Sequence, residues 1–583
     1  MGLAGLRAGL RAGLRAGLRA GPRTALRCRT LVAMKLAFGN PKLPPPNRRA
    51  VATVGVLGAV CLVAAVAGST LMASPAPVAT PSFVATATLP AASPTTAASP
   101  SPDPTATPIA ALPVPIVPVV SFWSTARNVT RADVAALWAG SGAAIKKTGY
   151  SSMVVADIDA DALTATLGVP HGANVKVVSA AAVKTAVNAS AATIGLLRAD
   201  DVTPDVLALS VDSVSLFSSD RTRDLADWPL SVLSQKHTAF SAASTWTLAA
   251  GGDINLTRQV YVVASKKGPN FPWSAGNAVV VRHENWMGFD VVIAADKGPA
   301  GAFKARLANA DLAIANLEGP AVDNFKNDLS NNGNNLVFQM DPDLLAGLKY
   351  VGLDAVSMAN NHLRNAGDKG VTQTIGYLDA LGIEHAGGGA NATEARRPAW
   401  LSAGGKKIAV LAYDAVSSSN FAGATKPGAA ALRVDEVTAD IQAARDAGAD
   451  VVVVMPHWGT EYTYAISASQ KSQAAAFVAA GADLVLGSHS HYTTGLQWIQ
   501  RPNGPAFIEY SFGDLLFDLH WTYRAEEGVI ETFTFAGSRL VQVVLSPTVI
   551  INRSQAGLLS PSGSGKTVID AIHAASRKLP GGW

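Results

Sequence analysis

The chain has 583 residues, of which 49% are hydrophobic and 15% are charged, and its formal net charge is +5. This length exceeds a single domain of roughly 100–200 residues, and the apolar content excludes a chain that is disordered as a whole. The charge does not indicate nucleic-acid binding, because much of the excess lies before residue 50, where there is no Asp or Glu, and the remainder is slightly acidic. The two cysteines, Cys28 and Cys61, both precede the region expected to fold, which excludes disulfides and cysteine-based zinc sites there.

Residues 1–49 form a basic tail in which Gly-Leu-Arg-Ala repeats over residues 2–20. The repeat places Arg7, Arg11, Arg15 and Arg19 on one face if the segment is helical. We interpret the tail as a cytoplasmic segment that contacts anionic lipid. The alternative is translated upstream sequence, with Met34 as the true start.

Residues 50–73 carry no charge, and a stretch of this length spans a hydrocarbon core of about 30 Å as a helix. Arg48 and Arg49 precede it. The positive-inside rule then predicts a single-pass protein of the cell membrane whose C-terminal domain is extracellular. The alternative is a cleaved signal peptide, with small residues at 65–67 or 73–76 serving the peptidase.

Residues 74–118 are rich in Pro, Ala, Thr and Ser, a composition typical of an extended, solvated linker. Residues 119–245 then alternate strand-like and helical patterns and predict a small α/β module. Residues 115–122 are strand-like, and Thr130 is a candidate helix cap. The module resembles one lobe of a periplasmic phosphate-type binding protein, although it shows no cluster of chemically reactive residues.

From residue 246 to 548, short apolar strands end in polar residues and alternate with helical stretches, which predicts an α/β fold with its site at the strand ends. Five such ends follow one another, and together they offer carboxylate, amide and imidazole groups without a thiolate. This donor set favours Mn, Fe, Zn or Mg. The side chains are Asp253, Glu318, Asn360 with Asn361 and His362, His457, and His489 with His491.

The order of these motifs resembles that in the calcineurin-like metallophosphoesterases. Their residues resemble the motifs of the CapA/PgsA family of poly-gamma-glutamate capsule biosynthesis proteins. The motifs are Gly-Asp-x-x-Leu-x-Arg, Asn-Leu-Glu, Ala-Asn-Asn-His, His-Trp-Gly-x-Glu-Tyr, Gly-Ser-His-x-His and Tyr-Ser-Phe-Gly-Asp. The resemblance implies a metallophosphoesterase-like α/β/β/α sandwich over residues 246–548, followed by a C-terminal tail at 549–583.

The resemblance also implies a site with two divalent metal ions. Its implied metal ligands are Asp253, Glu318, Asn361, His457, His489 and His491. His362 is implied as the catalytic acid, with Arg258 beside it, and we predict that Asn255, Asn360 and Glu461 bind substrate.

Four positions depart from the family patterns. Asn255 stands where the phosphoesterases have a His, and Leu363 follows His362 where they have an acid. Asn365 and Asp514 stand where the capsule proteins usually have Asp and Asn, respectively. These departures concern the orientation of His362 more than the binding of metal.

Two functions fit this sequence. The first is a metal-dependent hydrolase that acts on a phosphoester. The second is a non-catalytic, metal-binding component that binds or guides an anionic capsule polymer, together with other capsule synthase subunits. We expect no nucleic-acid partner for either function.

Overall fold

The computed structural model describes residues 110–581, apart from 169, 237–239, 287, 330–335 and 503. The chain divides into two units, Met1–Ser101 and Pro102–Trp583, and the described residues belong to the second. The predicted basic tail, the predicted membrane span at 50–73 and most of the predicted linker lie outside the described residues. Within the described ranges, no helix has the length and apolar character needed to cross a membrane.

The first folded part is a small α/β module with one mixed sheet in the order β4-β3-β5-β1-β6, to which β8 adds beside β1. Its strands are β1 (Leu112–Ser121), β2 (Asn128–Val129), β3 (Ser152–Ala156), β4 (Val175–Val178), β5 (Thr193–Arg198), β6 (Val206–Ala208), β7 (Ser210–Val211) and β8 (Ser231–Ser234). Its helices are α1 (Arg131–Trp138), α2 (Gly142–Thr148), α3 (Ala160–Leu167) and α4 (Ala180–Ala189).

The module begins earlier than the sequence indicated, because β1 starts at Leu112, inside the segment predicted as linker. Thr130 caps α1 and accepts a hydrogen bond of 3.0 Å from the backbone nitrogen of Asp133. The module also packs against the larger domain. Val541 belongs to its apolar core, and Arg127 donates to the carbonyl oxygen of Leu545 at 3.2 Å.

The larger domain contains a ten-stranded sheet in the order β11-β10-β26-β25-β24-β9-β12-β13-β14, with β23 beside β9. These strands are β9 (Thr245–Ile254), β10 (Asn277–Trp286), β11 (Phe289–Asp296), β12 (Leu312–Leu317), β13 (Ala355–Ser357), β14 (Glu384–Ala386), β23 (Asp514–Leu516), β24 (Glu527–Ala536), β25 (Arg539–Ile551) and β26 (Gln555–Leu559). The central strand β9 runs parallel to β12 on one side and antiparallel to β24 on the other.

A second sheet has six strands in the order β16-β17-β19-β20-β22-β21. They are β16 (Ala399–Ala403), β17 (Lys406–Asp414), β19 (Val451–His457), β20 (Leu484–Leu486), β21 (Leu496–Ile499) and β22 (Ala506–Glu509), while β15 (Gly388–Gly389) and β18 (Gly428–Ala429) pair separately. The helices are α5 (Arg258–Lys267), α6 (Ala302–Ala308), α7 (Ala346–Val351), α8 (Gly367–Leu381), α9 (Ala392–Ala395), α10 (Val434–Asp446), α11 (Ala468–Ala480) and α12 (Lys566–Ser576).

The two sheets pack face to face, and helices cover their outer faces. Leu248 and Phe533 of the first sheet share an apolar core with Val453 and Phe507 of the second. Helices α5 to α8 bury their apolar residues on the outside of the first sheet, and α10 and α11 on the outside of the second. The predicted mixed α/β fold is confirmed, and its layers follow the order helix, sheet, sheet, helix.

Residues beyond 548 differ from the predicted tail, because they form β26 and α12 and join the fold. β26 pairs with β25 and β10. Val568 and Ile572 of α12 are completely buried in the core between the sheets. These apolar residues recur at the spacing of one helical face, so the segment buries a stripe that a tail would expose.

Two buried carboxyl groups, Glu509 of β22 and Glu531 of β24, interact across the interface between the sheets. Burial raises the pKa of Glu531 to about 8. Burial, together with the charge of Glu531, raises the pKa of Glu509 well above its usual range. The folded protein therefore keeps protons here that the unfolded chain releases above its usual glutamate pKa of 4.5.

Because the folded state binds the extra proton, the free energy of unfolding falls as pH rises from about 5 to 8. We expect Glu531→Gln to reduce this dependence, leaving the part due to the burial of Glu509, and to gain at least about 1 kcal/mol relative to wild type between these pH values, since one pKa unit corresponds to about 1.4 kcal/mol. Urea unfolding at both pH values measures the difference. Glu384→Gln, at an exposed position of the same sheet, is the control. An equal stability difference at both pH values would contradict the assignment.

Candidate metal centre

Strand ends from both sheets meet at one edge of the sandwich and carry most of the predicted ligands there. Asp253 lies beside Asn316 of β12 and Asp514 of β23 in the register of the sheet. His457, at the end of β19, forms a bridge with Ser488. Glycine permits this close approach, because a side-chain carbon on Gly252 would overlap the carbonyl oxygen of Gly513.

Two groups of candidate metal ligands share Asp253. One contains Asp253, Glu318 and His457, and the other contains Asp253, His491 and Asp514. The ligand atoms of each group lie within 4.8 Å of one another, and all five residues are buried. A shared carboxylate between two ligand sets is the arrangement expected where one side chain bridges two cations.

The site contains polar atoms that the protein itself does not satisfy. Among the described residues, both carboxylate oxygens of Glu318, one oxygen of Asp514 and Nδ1 of His489 are buried without a hydrogen-bond partner. Buried groups of this kind are costly unless a ligand pairs with them. Carboxylate and imidazole donors without thiolate fit Mn, Fe, Zn or Mg, so these side chains fit the implied metal ions.

The pKa shifts reflect buried carboxyl groups that lie close together. Burial raises the pKa of Asp514 to about 7, and burial followed by the charge of Asp253 raises that of Glu318 well above its usual range. Burial opposes charge on His491, but the charges of Asp514, Glu318 and Asp253 outweigh it and raise the His491 pKa to about 10. Cations among these groups would favour ionised carboxylates and neutral imidazoles instead.

Asn361, His457 and His489 complete the predicted ligand set. Nε2 of His457 lies 2.9 Å from Oδ1 of Asn361. Adjacent ligands at about 2.1 Å from one cation are about 3 Å apart, so this pair has the spacing of neighbouring ligands. The ring of His489 is 4.7 Å from that of His457 and 6.2 Å from that of His491. Burial lowers the pKa of His489 to about 3, which keeps this imidazole neutral.

The backbone at the histidine pair is strained. His489 has a φ of 95° and His491 a φ of 57°, a region that residues with a side chain seldom adopt. The backbone nitrogen of His489 donates to Asp253 at 3.1 Å, and Nδ1 of His491 donates to Asp514 at 2.8 Å. These bonds hold both imidazoles in place at the site, and strain of this kind is characteristic of functional positions.

His362 is oriented by an amide rather than by a carboxylate. Its Nδ1 lies 2.9 Å from Oδ1 of Asn365, which also accepts a hydrogen bond of 2.8 Å from the backbone nitrogen of Phe338. Because that oxygen is an acceptor, Nδ1 carries the proton and Nε2 keeps its lone pair. Nε2 lies 3.8 Å from Oε1 of Glu318. Burial lowers the pKa of His362 to about 4.

A cavity of about 630 Å³ opens beside these residues, and Asn361, His362, His491, Arg258 and Glu461 line it. Glu461, one of the predicted substrate-binding residues, is exposed there.

The other two predicted substrate-binding residues use their amides within the protein. Asn255 donates to the carbonyl oxygen of Glu318 at 2.7 Å and accepts from Thr257, and Asn360 donates to the carbonyl oxygen of Leu317 at 2.8 Å. Both side chains are buried and fix the loops that carry the ligands. The structure therefore gives Asn255 and Asn360 a structural role instead of a place on the cavity wall.

Three further residues, in or next to the sequence motifs, contact the site in ways that the sequence did not indicate. Asp514 belongs to one ligand group. Asn316 donates to Asp253 at 2.7 Å and so orients its carboxylate. Asp518 pairs with Arg553 at 2.6 Å and with Arg258 at 3.6 Å. Asn316 and Asp518 each come directly after an apolar run, whereas Asp514 is the first residue of the short strand β23.

Residues 247–519 match the model of the family of bacterial capsule synthesis proteins, PGA_cap. These residues make up just under half of the chain, are similar to that family and are here called the capsule synthesis domain. The match begins in β9 and covers every candidate ligand, which confirms the resemblance drawn from the motifs.

Two Bacillus proteins are similar to part of this chain. The capsule biosynthesis protein CapA of Bacillus anthracis is 28% identical over 229 residues, which cover 39% of this chain and 55% of the relative. The PGA biosynthesis protein CapA of Bacillus subtilis is 28% identical over 223 residues, with 38% and 57% covered. The chain thus spans about half the length of the curated relatives it matches. Among solved structures, the calcineurin-like phosphoesterase YfkN of Bacillus subtilis has 11% identity and a TM-score of 0.25, covering 57% of this chain and 97% of that one.

Replacing both His489 and His491 by Ala should abolish most metal binding, because it removes two of the predicted ligands while the apolar strand β20 keeps its packing. Elemental analysis of the purified full-length protein measures metal content, and thermal unfolding with and without added metal measures the linked stabilisation. His171→Ala, at an exposed histidine of the module, is the control. A double variant that binds metal as well as wild type would show that both residues are ordinary loop residues.

Proposed function

We propose that the capsule synthesis domain is a metal-dependent hydrolase of phosphate esters with a dinuclear centre. The observation that carries this proposal is the pair of ligand groups that share Asp253, together with the two oxygens of Glu318 in one of these groups, which are buried and have no hydrogen-bond partner in the described part of the chain. Its ligands are the six predicted residues together with Asp514. Through the family, the domain acts in the synthesis of a capsule polymer such as poly-gamma-glutamate.

Hydrolysis breaks the ester bond between phosphorus and oxygen. The oxygen of a water molecule goes to phosphorus, and one of its protons goes to the departing alcohol. Divalent cations bound at the ligands would polarise the phosphate and make the water a stronger nucleophile. The protein side chains orient the ester and move the proton.

His362 is the residue placed to carry that proton. Its Nδ1 proton is held by Asn365, so Nε2 has the free lone pair, on which it takes up one proton and then delivers that proton to the leaving oxygen. Arg258 lines the same cavity and is positioned by Asp518, from where its guanidinium can donate to phosphate oxygens. Both roles agree with the predicted pair of catalytic residues.

His362→Ala should lower kcat by about 100-fold or more and leave metal content unchanged, because it removes proton transfer and not a ligand. The loss should be larger for phenyl phosphate than for p-nitrophenyl phosphate, since p-nitrophenolate departs more readily without a proton. Phosphate release by the full-length protein with Mn²⁺, Zn²⁺ or Mg²⁺ measures both rates, with His171→Ala as the control. A metal-loaded wild-type protein that hydrolyses neither ester would contradict the proposed activity.

We also propose that the protein is anchored in the cell membrane through residues 50–73, with the folded part outside. The uncharged stretch and the preceding Arg48 and Arg49 support this topology. Protease added to intact cells should then degrade the folded part while a cytoplasmic marker protein survives. Protection of the folded part until the cells are lysed would exclude the topology.

A further inference from the structure

The cavity beside the candidate metal centre has an apolar wall as well as a polar one. Phe338, Phe517 and Leu519 form an apolar cluster of their own, separate from the main cores, and half-buried Tyr462 and Trp521 pack against it. All five side chains line the cavity. Phe338, Phe517 and Leu519 are almost fully buried and support this wall from behind, so its accessible apolar surface comes from Tyr462 and Trp521.

Aromatic rings lie beside His362 and His491, which both line the cavity. The ring of Phe338 is 4.5 Å from that of His362 and 5.3 Å from that of Phe517. On the other wall, the ring of Tyr462 stacks on His491 at 5.5 Å. The group attached to a phosphate held at the centre would lie against these aromatic rings.

The mouth of the cavity is apolar as well, although it faces solvent. Trp286 and Phe289, at the tip of the hairpin β10–β11, are 39% and 43% exposed, and Leu329 is 46% exposed. All three line the cavity. Twelve large apolar side chains are exposed in the described part of the chain. Six of them lie either on this hairpin or close to residues 330–335 in the sequence. They are Val279, Val281, Trp286, Phe289, Leu329 and Val337. Exposed apolar groups concentrated in this way mark a binding surface.

Cationic groups connect the apolar mouth with the catalytic residues. The guanidinium of Arg553 lies 5.7 Å from the ring centre of Trp286, and the same group pairs with Asp518, which also pairs with Arg258. The described lining residues include these two arginines and no lysine. A polymer with a carboxylate on every residue would require more cations along its path, whereas two guanidinium groups suffice for one anionic head group.

We propose that the substrate is an amphiphilic phosphate ester, whose phosphate is held at the metal centre and whose long apolar chain lies along Tyr462 and Trp521 and leaves past Trp286 and Phe289. The proposal rests on the proposed hydrolase function for its chemistry. The apolar walls bind the chain, and Arg258 and Arg553 bind the head group. Hydrolysis yields inorganic phosphate and a long-chain alcohol.

Binding of non-hydrolysable phosphonates tests this specificity without turnover. Full-length protein kept in solution with an amphipol and loaded with Mn²⁺ is titrated calorimetrically with monomeric dodecylphosphonate and with ethylphosphonate. We expect dodecylphosphonate to bind at least about tenfold more tightly, because burial of even a few methylene groups contributes that much affinity. The double variant Trp286→Ala, Phe289→Ala should lower this preference by at least about threefold and leave ethylphosphonate binding unchanged.

The matched control is Ile158→Ala with Leu233→Ala, which removes two exposed apolar side chains from the N-terminal module. This variant should keep the full chain-length preference. Equal affinity for both phosphonates overturns the proposal, as does a preference that the hairpin variant leaves intact. Hairpin-dependent binding to phosphatidylcholine vesicles without any chain-length preference also overturns it, because the hairpin would then be a membrane contact.

The phosphatase assay separates this proposal from the proposed function. Hydrolysis of p-nitrophenyl phosphate without a chain-length preference retains the hydrolase and rejects the amphiphilic substrate. A clear preference for dodecylphosphonate without hydrolysis of any ester retains the binding site and rejects the catalytic role.

Discussion

The buried carboxylate of Glu318 is the constraint around which the domain is organised. It has no hydrogen-bond partner among the described residues, and Asp253 and Asp514 add negative charge beside it. A carboxylate removed from water in this way strongly opposes folding unless a positive charge compensates it. The apolar strands that hold these groups together supply the opposing free energy. The fold therefore holds several carboxyl groups close together, where divalent cations can neutralise their negative charge.

The positions of the strand ends could be predicted because their signal is local. An apolar run followed by Asp253, by Glu318 or by His457 indicates a buried strand that ends in a functional group, and the structure places all three together. The side-chain directions within the following turns could not be predicted in this way. Asn255 and Asn360 follow the same pattern, but local hydrogen bonds turn their amides into the protein.

The residues whose place could not be predicted from the sequence reach it through contacts between distant segments of the chain. Asp514 belongs to a strand of only three residues, and its place at the site depends on pairing with Asp253. The apolar stripe of α12 is present in the sequence, but its burial depends on a core built from strands far away in the chain. The exposed tip of the hairpin β10–β11 carries no periodic signal, because its side chains are arranged for a cavity rather than for a core.

Strands β12 and β24, which pair with β9 on its two sides, are synthesised at different times. Ala250 pairs with Ile314 on one side and with Glu531 on the other, so the second partner emerges long after the first. Every candidate ligand precedes Glu527, the first residue of β24. A chain that stops before this strand would carry the whole ligand set and still present an open sheet edge along Thr245–Ala250, the part of β9 that pairs with β24. Open edges of this kind pair readily with other chains, so incomplete copies of this protein would be prone to aggregate through the strand that bears their first ligand.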